Sequence, residues 1–557
     1  MRRLPLLDLF HREIGPVRPG LIFALAASGI ANAAVLAIIN RASLSISTGG
    51  STTREFLAFA VVVALYVVTL RQAFRTTSTL FARIVHRVRV RLVDKIRQTD
   101  LITLEHFGRG TLYNTLVQEL QIISQSQMGV VAFLQALLMM VATTFYMLSL
   151  SVPGFVIAAV TVVGAAVYYL RKHAFSRDAM ERANELGISF VDGVNQVLEG
   201  FKEIKMSRAR SQAVQADLAA QSRLASEAAV QSASISNDLF LFSQSYFFFV
   251  MAIMVFVLPK LVPTQAAVIT QLTATVLFMV GPLASIVSTI PGLTRANLAA
   301  QNILDMESRL DADQPPEGER DQPLRRGYAD FSSITLSGVE FSYRDRDGSV
   351  LFTIGPIDLT IPRGEILFIV GGNGSGKSSL MKLLTALYFP DAGELRLDDE
   401  RITRENAQDY RELFSVIFSD FHLFAKLYGI TVTDEAQVEA FLRAMALDTK
   451  TRFLGDRFSH TDLSTGQRKR LALLVTYLED RPIYVFDEWA ADQDPEFRRH
   501  FYEVMLAELK AHGKTVIAVS HDDRYFHVAD RVVKMEYGRI VEELVPPRPP
   551  RGGGQGR

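Results

Sequence analysis

The stretch Gly371-Gly372-Asn373-Gly374-Ser375-Gly376-Lys377-Ser378-Ser379 lies between an apolar run, Ile366-Leu367-Phe368-Ile369-Val370, and a helical run that begins at Leu380. Strand, glycine-rich loop and helix in that order are the setting of a phosphate-binding loop. Its glycines let successive backbone N–H groups curl around phosphate oxygens. Lys377 neutralises the terminal phosphates, Ser378 is placed to bind Mg²⁺, and the start of the following helix adds positive potential. The ligand that needs all four is a nucleoside triphosphate. Gly371, Asn373, Gly374, Ser375, Gly376, Lys377, Ser378 and Ser379 are therefore the candidate nucleotide-binding residues.

Outward from this loop, β-like runs alternate with helical ones from Phe331 onward. Ile334-Thr335-Leu336, Ile483-Tyr484-Val485-Phe486 and Thr515-Val516-Ile517-Ala518-Val519 are the clearest, and they predict an α/β sheet. The run 483–486 delivers Asp487 and Glu488 to the C-terminal edge of a buried strand, where ligands of open α/β sheets bind. Asp487 suits the metal, and Glu488 suits orienting or deprotonating the water that attacks the γ-phosphate in line. Taken alone the pair could be a solvated acidic turn; the strand before it and the phosphate loop upstream argue for chemistry. Leu463-Ser464-Thr465-Gly466-Gln467 opens a further helix, with Ser464 as N-cap and Gly466 leaving its N–H exposed. That is a second helix start suited to anions. One nucleotide already has its phosphate loop, so this site serves another nucleotide or the same nucleotide from another chain.

The first 300 residues read differently. Hydrophobic residues make up 49% of the 557-residue chain, and the mean hydropathy is +0.17, which places part of it in lipid. Six apolar stretches, near 20–40, 55–75, 129–150, 153–171, 239–259 and 264–292, meet the roughly 17–25 residues that a bilayer helix needs. Runs such as Val61-Val62-Val63-Ala64-Leu65-Tyr66-Val67-Val68 have no polar face, unlike a surface helix of a soluble domain. The first stretch is expected to remain as a helix and not to be cleaved as a signal. Arginines and lysines cluster before the first span and in the long segments between spans two and three and between spans four and five. Both termini are thus expected on the cytoplasmic side, with amphipathic extensions reaching inward. No Asp, Glu, Lys or Arg lies deep in a span, which weighs against a proton-coupled antiporter. Asn32, Asn40, Gln135, Gln244 and Gln271 are candidate pathway residues, or packing glue. Lys+Arg 59 against Asp+Glu 59 leaves no charge argument for nucleic acid, and Cys 0 excludes disulfides and thiolate chemistry. The expected domains are 1–304, six spans with cytoplasmic extensions; 305–330, a linker; 331–545, a nucleotide-binding domain; and 546–557, a disordered tail.

Leu463-Ser464-Thr465-Gly466-Gln467, with a phosphate loop upstream and Asp487-Glu488 downstream, resembles the signature of ATP-binding-cassette proteins. The resemblance implies ATP and Mg²⁺ as cofactors and two cassettes meeting head to tail, each ATP lying between Lys377 of one and Ser464, Gly466 and Gln467 of the other. With one cassette here, the working unit would be a dimer, and a second copy of the chain is the expected partner. Tyr343 resembles the aromatic that stacks on adenine, His521 the switch histidine at the γ-phosphate, and Asp494 the inter-cassette aspartate. One departure stands out: Ser419 occupies the place of the usual glutamine near the metal.

Six spans followed by one cassette look like a half-transporter of the exporter type. Leu104-Glu105-His106-Phe107-Gly108-Arg109-Gly110 and Val197-Leu198-Glu199-Gly200-Phe201-Lys202-Glu203-Ile204-Lys205 resemble its two inward coupling regions. The strings LSTGQRKRLAL at 463–473, FDEWAADQDP at 486–495 and SHDDRYF at 520–526 resemble the cyclic-peptide and siderophore exporters, of pyoverdine, syringomycin and microcin type. This resemblance implies export of a cyclic or modified peptide, lipopeptide or peptide siderophore across the bacterial inner membrane. A lipid or multidrug exporter of the same architecture, and a membrane-tethered ATPase that transports nothing, are the alternatives.

Overall fold

The computed structural model describes residues 5–14, 19–47, 49–261, 266–312, 330–345, 348–432 and 434–547. The chain divides into two compact units: Met1–Arg97 with Arg109–Leu310, and Gln98–Gly108 with Asp311–Arg557. The fold class is the expected one, an apolar helical region followed by a phosphate-loop α/β cassette.

In the first unit, Pro5–Ile14 is a short helix. The long helices that follow are Pro19–Ser47, Thr53–Gln98, Gln127–Leu150, Val152–Glu199, Arg208–Ala252 and Ala266–Ala312. Among the described residues five segments are long and apolar enough to cross a membrane, where the sequence predicts six. The fourth expected span, 153–171, lies on Val152–Glu199. Its described apolar part is Val152–Thr161, and several side chains beyond it fall outside the described residues. The turn before it is tight because Ser151 accepts a hydrogen bond from the N–H of Gly154 at 3.3 Å, capping the new helix. Thr53–Gln98 has 46 residues, or about 69 Å at 1.5 Å per residue, more than twice a bilayer core. Only 6% of its apolar window is buried within the chain, so Phe56, Val61 and Val68 offer their surfaces outward.

Three of the polar span residues join helices. Asn32 Nδ2 donates to Met139 Sδ at 3.1 Å, Asn40 Nδ2 to Tyr146 Oη at 3.2 Å, and Gln135 Nε2 to Tyr66 Oη at 3.2 Å. These amides act as interhelical ties, which is how hydrocarbon surroundings are best tolerated by polar groups. Where Thr53–Gln98 and Ala266–Ala312 run beyond the spans, Arg91 pairs with two buried carboxylates, Glu13 and Glu307, each with a side chain 4% exposed.

Ala266–Ala312 continues as helix through residues 305–312, the first part of the expected linker; 313–329 lie outside the described residues, as does the expected tail from 548 on.

The cassette has two sheets. β1 (Ser333–Arg344), β2 (Val350–Pro362), β4 (Ala392–Leu397) and β5 (Glu400–Arg401) form an antiparallel sheet in the order β2-β1-β4-β5. The second sheet contains β3 (Ile366–Gly371), β6 (Phe414–Ile417), β7 (Ile483–Asp487), β8 (Thr515–Val519), β9 (Arg531–Glu536) and β10 (Arg539–Leu544) in the order β10-β9-β3-β8-β7-β6. Strands β9, β3, β8, β7 and β6 are mutually parallel. Every residue of β7 and β8 is buried, as continuous apolar runs covered on both faces must be. Register then decides the site. Ile369 pairs with Val519, Val519 with Asp487, and Phe486 with Ile417, so the C-terminal ends of β3, β8, β7 and β6 are level. The loops carrying Lys377, His521, Asp487 and Ser419 leave the sheet along one edge.

Candidate nucleotide site

The phosphate loop is shaped by what surrounds it. Gly371 has φ +150, and a Cβ there would lie 2.3 Å from the carbonyl oxygen of Met535 and 2.7 Å from Ser375 Oγ, so the strand can turn there only without a side chain. The helix Lys377–Leu384 starts from Gly376 with no side-chain cap, leaving its first N–H groups free for an anion. Lys377 is 6% exposed, and its Nζ donates to the carbonyls of Gly371 at 3.1 Å and Gly372 at 3.0 Å, spanning the loop it closes. Ser375 Oγ is buried with no hydrogen-bond partner.

Asp487 ends β7 at 1% exposure. Burial pushes its carboxyl above the ordinary range; hydrogen bonds from Ser378 and Ser419 work against that, and the neighbouring Glu488 adds to it. Its Oδ1 is buried and has no partner. A buried, half-satisfied carboxylate beside a serine hydroxyl fits a divalent cation whose other ligands are waters and phosphate oxygens. Among the described residues no cluster of three or more His, Cys, Asp or Glu could hold a metal ion. Ser419, the departure from the usual glutamine, interacts with Asp487 through both hydroxyl and backbone N–H.

Glu488 follows at φ 51, a left-handed conformation that costs a non-glycine residue about 1–3 kcal/mol. Its Oε1 lies 2.9 Å from His521 Nε2, so the two residues singled out separately in the sequence share one hydrogen bond. What holds the strained turn is Lys469, which carries no motif of its own. It is 4% exposed, donates to the Glu488 carbonyl at 2.8 Å and pairs with Asp492 at 2.6 Å. Trp489, 1% exposed, donates from Nε1 to the Lys469 carbonyl at 2.9 Å. Lys469 stands between Arg468 and Arg470, so nothing local in the sequence marks it out. Lys469→Met is expected to lower kcat by about tenfold or more with little change in KM for ATP, because a loosened Glu488 turn misplaces the base. Steady-state hydrolysis across ATP concentrations checks this.

Ser464 caps the helix Thr465–Glu479 in a full capping box: it accepts from the N–H of Gln467 at 3.4 Å, and Gln467 Oε1 accepts from the Ser464 N–H at 3.2 Å. Gly466 is required by close approach, since a Cβ would sit 2.8 Å from the Asp492 carbonyl oxygen. Gln493 Nε2 donates to the Gly466 carbonyl at 3.2 Å, tying this loop to the segment after Glu488. Asp494 caps the helix Pro495–His500 by accepting from the Phe497 N–H at 2.9 Å, and it also pairs with Arg470. The backbone bond from Phe497, ahead of Arg470, holds its carboxyl below the usual carboxylate range. Tyr343 is half-buried, packed edge-on against Phe341 at 5.2 Å, and its hydroxyl lies 2.9 Å from Ser379 Oγ.

Residues 354–491 match the family model described as ABC transporter. The chain is 33% identical to the ATP-binding protein SyrD of Pseudomonas syringae pv. syringae over 547 residues, covering 93% of this chain and 92% of that protein. It belongs to the ABC exporters. The chain is also 30% identical to an ATP-dependent lipid A-core flippase of Burkholderia pseudomallei over 280 residues, covering 48% of this chain and 45% of the flippase. The structure of a bacterial Atm1-family ABC exporter with ATP bound superimposes with a TM-score of 0.74 at 18% identity, covering 94% of this chain and 95% of that one, and so shares its fold. This exporter is a multi-pass membrane protein that binds ATP and couples its hydrolysis to transport.

Proposed function

We propose that the chain exports a cyclic or modified peptide, lipopeptide or peptide siderophore across the bacterial inner membrane, working as a dimer of identical copies with both termini in the cytoplasm. The observation that carries this reading is the reach of the similarity to SyrD, which extends over 93% of the chain and therefore into the membrane half, where cargo is met. The similarity to the lipid flippase covers 48%. The words of the cassette that resemble peptide and siderophore exporters support the same reading.

The membrane unit supports a cargo with an apolar part. A cavity of about 560 Å³ lies among the spans, lined by Leu137, Phe145, Phe242, Tyr246, Met279 and Ile286 among others. Its three hydroxyls are already committed: Thr144 donates to the Met140 carbonyl at 2.7 Å, Thr161 to that of Ile157 at 2.6 Å, and Tyr246 to that of Thr161 at 3.0 Å. Such a wall favours hydrocarbon over polar groups.

In the mechanism, ATP lies on the phosphate loop of one copy and against the Ser464 loop of the other. Tyr343 carries the adenine. Lys377 exchanges its loop carbonyls for the terminal phosphates, and the Gly376–Ser379 backbone receives their oxygens. Asp487 and Ser378 would hold Mg²⁺, which neutralises charge on the β- and γ-oxygens. Glu488 accepts the proton of the attacking water while His521 keeps its carboxylate turned toward the γ-phosphate. Asp494 stands at the seam between the cassettes. Nucleotide closes the seam, the inward segments carry closure to the spans, and hydrolysis resets them.

The test is uptake and ATPase stimulation in inverted vesicles offered a cyclic lipopeptide, a peptide siderophore or lipid A. Stimulation and uptake of a peptide compound are expected; stimulation by lipid A alone would replace this reading with the flippase.

A further inference from the structure

Residues Gln98–Gly108 are grouped with the cassette, although the chain on either side belongs to the first unit. Their helix, Leu101–Phe107, sets Leu101 and Ile102 against the cassette core. Asp100 accepts from Arg404 Nε at 2.9 Å, and His106 Nε2 lies 3.3 Å from the carbonyl oxygen of Arg344, the residue after Tyr343. Glu105 goes deeper. Its Oε1 accepts from Lys382 Nζ at 2.9 Å, and its Oε2 accepts from the hydroxyl of Tyr388.

Tyr388 is 1% exposed, stacked on Phe341 at 4.8 Å and edge-on to Tyr343 at 5.8 Å. The Tyr343 ring that it meets edge-on carries a hydroxyl 2.9 Å from Ser379 Oγ, in the first turn of the phosphate-loop helix. At the Glu105 end the directions are forced. An ionised carboxylate only accepts and a lysine only donates. Tyr388 spends its one proton on Glu105 and accepts from Lys382 Nζ. Glu105 therefore orients the Tyr388 ring by its hydroxyl, and Tyr388 meets the Tyr343 ring edge-on.

We propose that Glu105 is a positioning residue for the nucleotide: through Tyr388 and Tyr343 it fixes the ring on which adenine rests and the first turn of the phosphate-loop helix. Base binding is thereby passed into 98–108 and, by covalent continuity, into the helix Thr53–Gln98. The inference rests on the reading of Tyr343 as the adenine platform. Lys382, which donates to both Glu105 and Tyr388 at 2.9 and 3.0 Å, fixes the carboxylate end.

The chain has Cys 0, so Ser51→Cys gives a single spin-label site per copy between the first two long helices. The distance between the labels of two copies in nanodiscs, with and without ATP and vanadate, reads the movement of the spans. Glu105→Ala and Tyr388→Phe are expected to reduce the shifted population by about fivefold or more, in the range of ordinary coupling energies, and to raise KM for ATP as the adenine platform loosens. Arg404→Ala breaks a salt bridge of the same segment that does not reach the nucleotide, and it is expected to shift like the parent. Parent-like movement in Glu105→Ala and Tyr388→Phe, or equal loss in all three variants, overturns the relay. Tyr343→Ala reports on the platform separately: unchanged KM for ATP there would overturn the platform and the relay with it.

Discussion

Glu488→Gln is expected to hold ATP and lose turnover by about 10²–10⁴-fold, the usual worth of a positioned general base. The amide is isosteric and can still meet His521 Nε2, which lies 2.9 Å from Oε1, and the Lys469 bond to the Glu488 carbonyl does not involve the side chain. The turn should therefore keep its shape. Only the ability to take a proton is removed. Phosphate release measured beside retention of labelled ATP separates the two effects: slow release with full retention is the expected pair. Hydrolysis at the parent rate would take Glu488 out of the base role and leave the geometry around it as a structural turn.

Arg91→Met is expected to destabilise the first unit by about 3–5 kcal/mol, because it leaves two buried carboxylates without their counter-ion. Arg91 Nε donates to Glu307 at 2.7 Å, its Nη1 pairs with Glu13, and both acids have side chains only 4% exposed. Arg12 stands 3.9 Å from Glu307 and is itself 66% exposed, too distant and too wet to take over. Adding Glu13→Gln and Glu307→Gln to Arg91→Met should recover most of the loss, since a triad removed whole costs far less than one left unpaired. Thermal unfolding of the three proteins in one detergent checks the order: parent, then triple variant, then single variant.

The cassette was legible where its chemistry is written in consecutive residues. Residues 371–379, the 483–488 run and the 463–467 loop each combine a local strand or helix signal with the groups that meet phosphate, so sequence and structure agree on their elements. The register that brings β3, β8, β7 and β6 level is not local, and so the hydrogen bond between Glu488 and His521, 33 residues apart, could not be read in advance. Lys469, Arg470 and Tyr388 were missed for the same reason: each is an ordinary residue whose role comes from a partner elsewhere, in the case of Tyr388 and Glu105 a partner 283 residues away. Hydropathy alone reaches five of the six expected spans among the described residues; the fourth, 153–171, is matched only by the shorter apolar stretch Val152–Thr161. Their polar residues were open between pathway and packing, and Asn32, Asn40 and Gln135 prove to tie neighbouring helices. Ser419 could be recognised as a departure, but its interaction with Asp487 follows only from β6 lying beside β7.

The hollow between the spans has a further consequence for selectivity. The protons of Thr144, Thr161 and Tyr246 are all given to helix carbonyls, so among the described lining residues no side-chain hydroxyl is left to donate to a headgroup. Guests would be ranked by how much tail they insert, at about 0.8 kcal/mol per methylene, or roughly fourfold in affinity for each carbon, until the space is full. A homologous series differing only in acyl length would then climb steeply and stop, whereas molecules that vary in their polar portion at constant tail would bind this hollow alike.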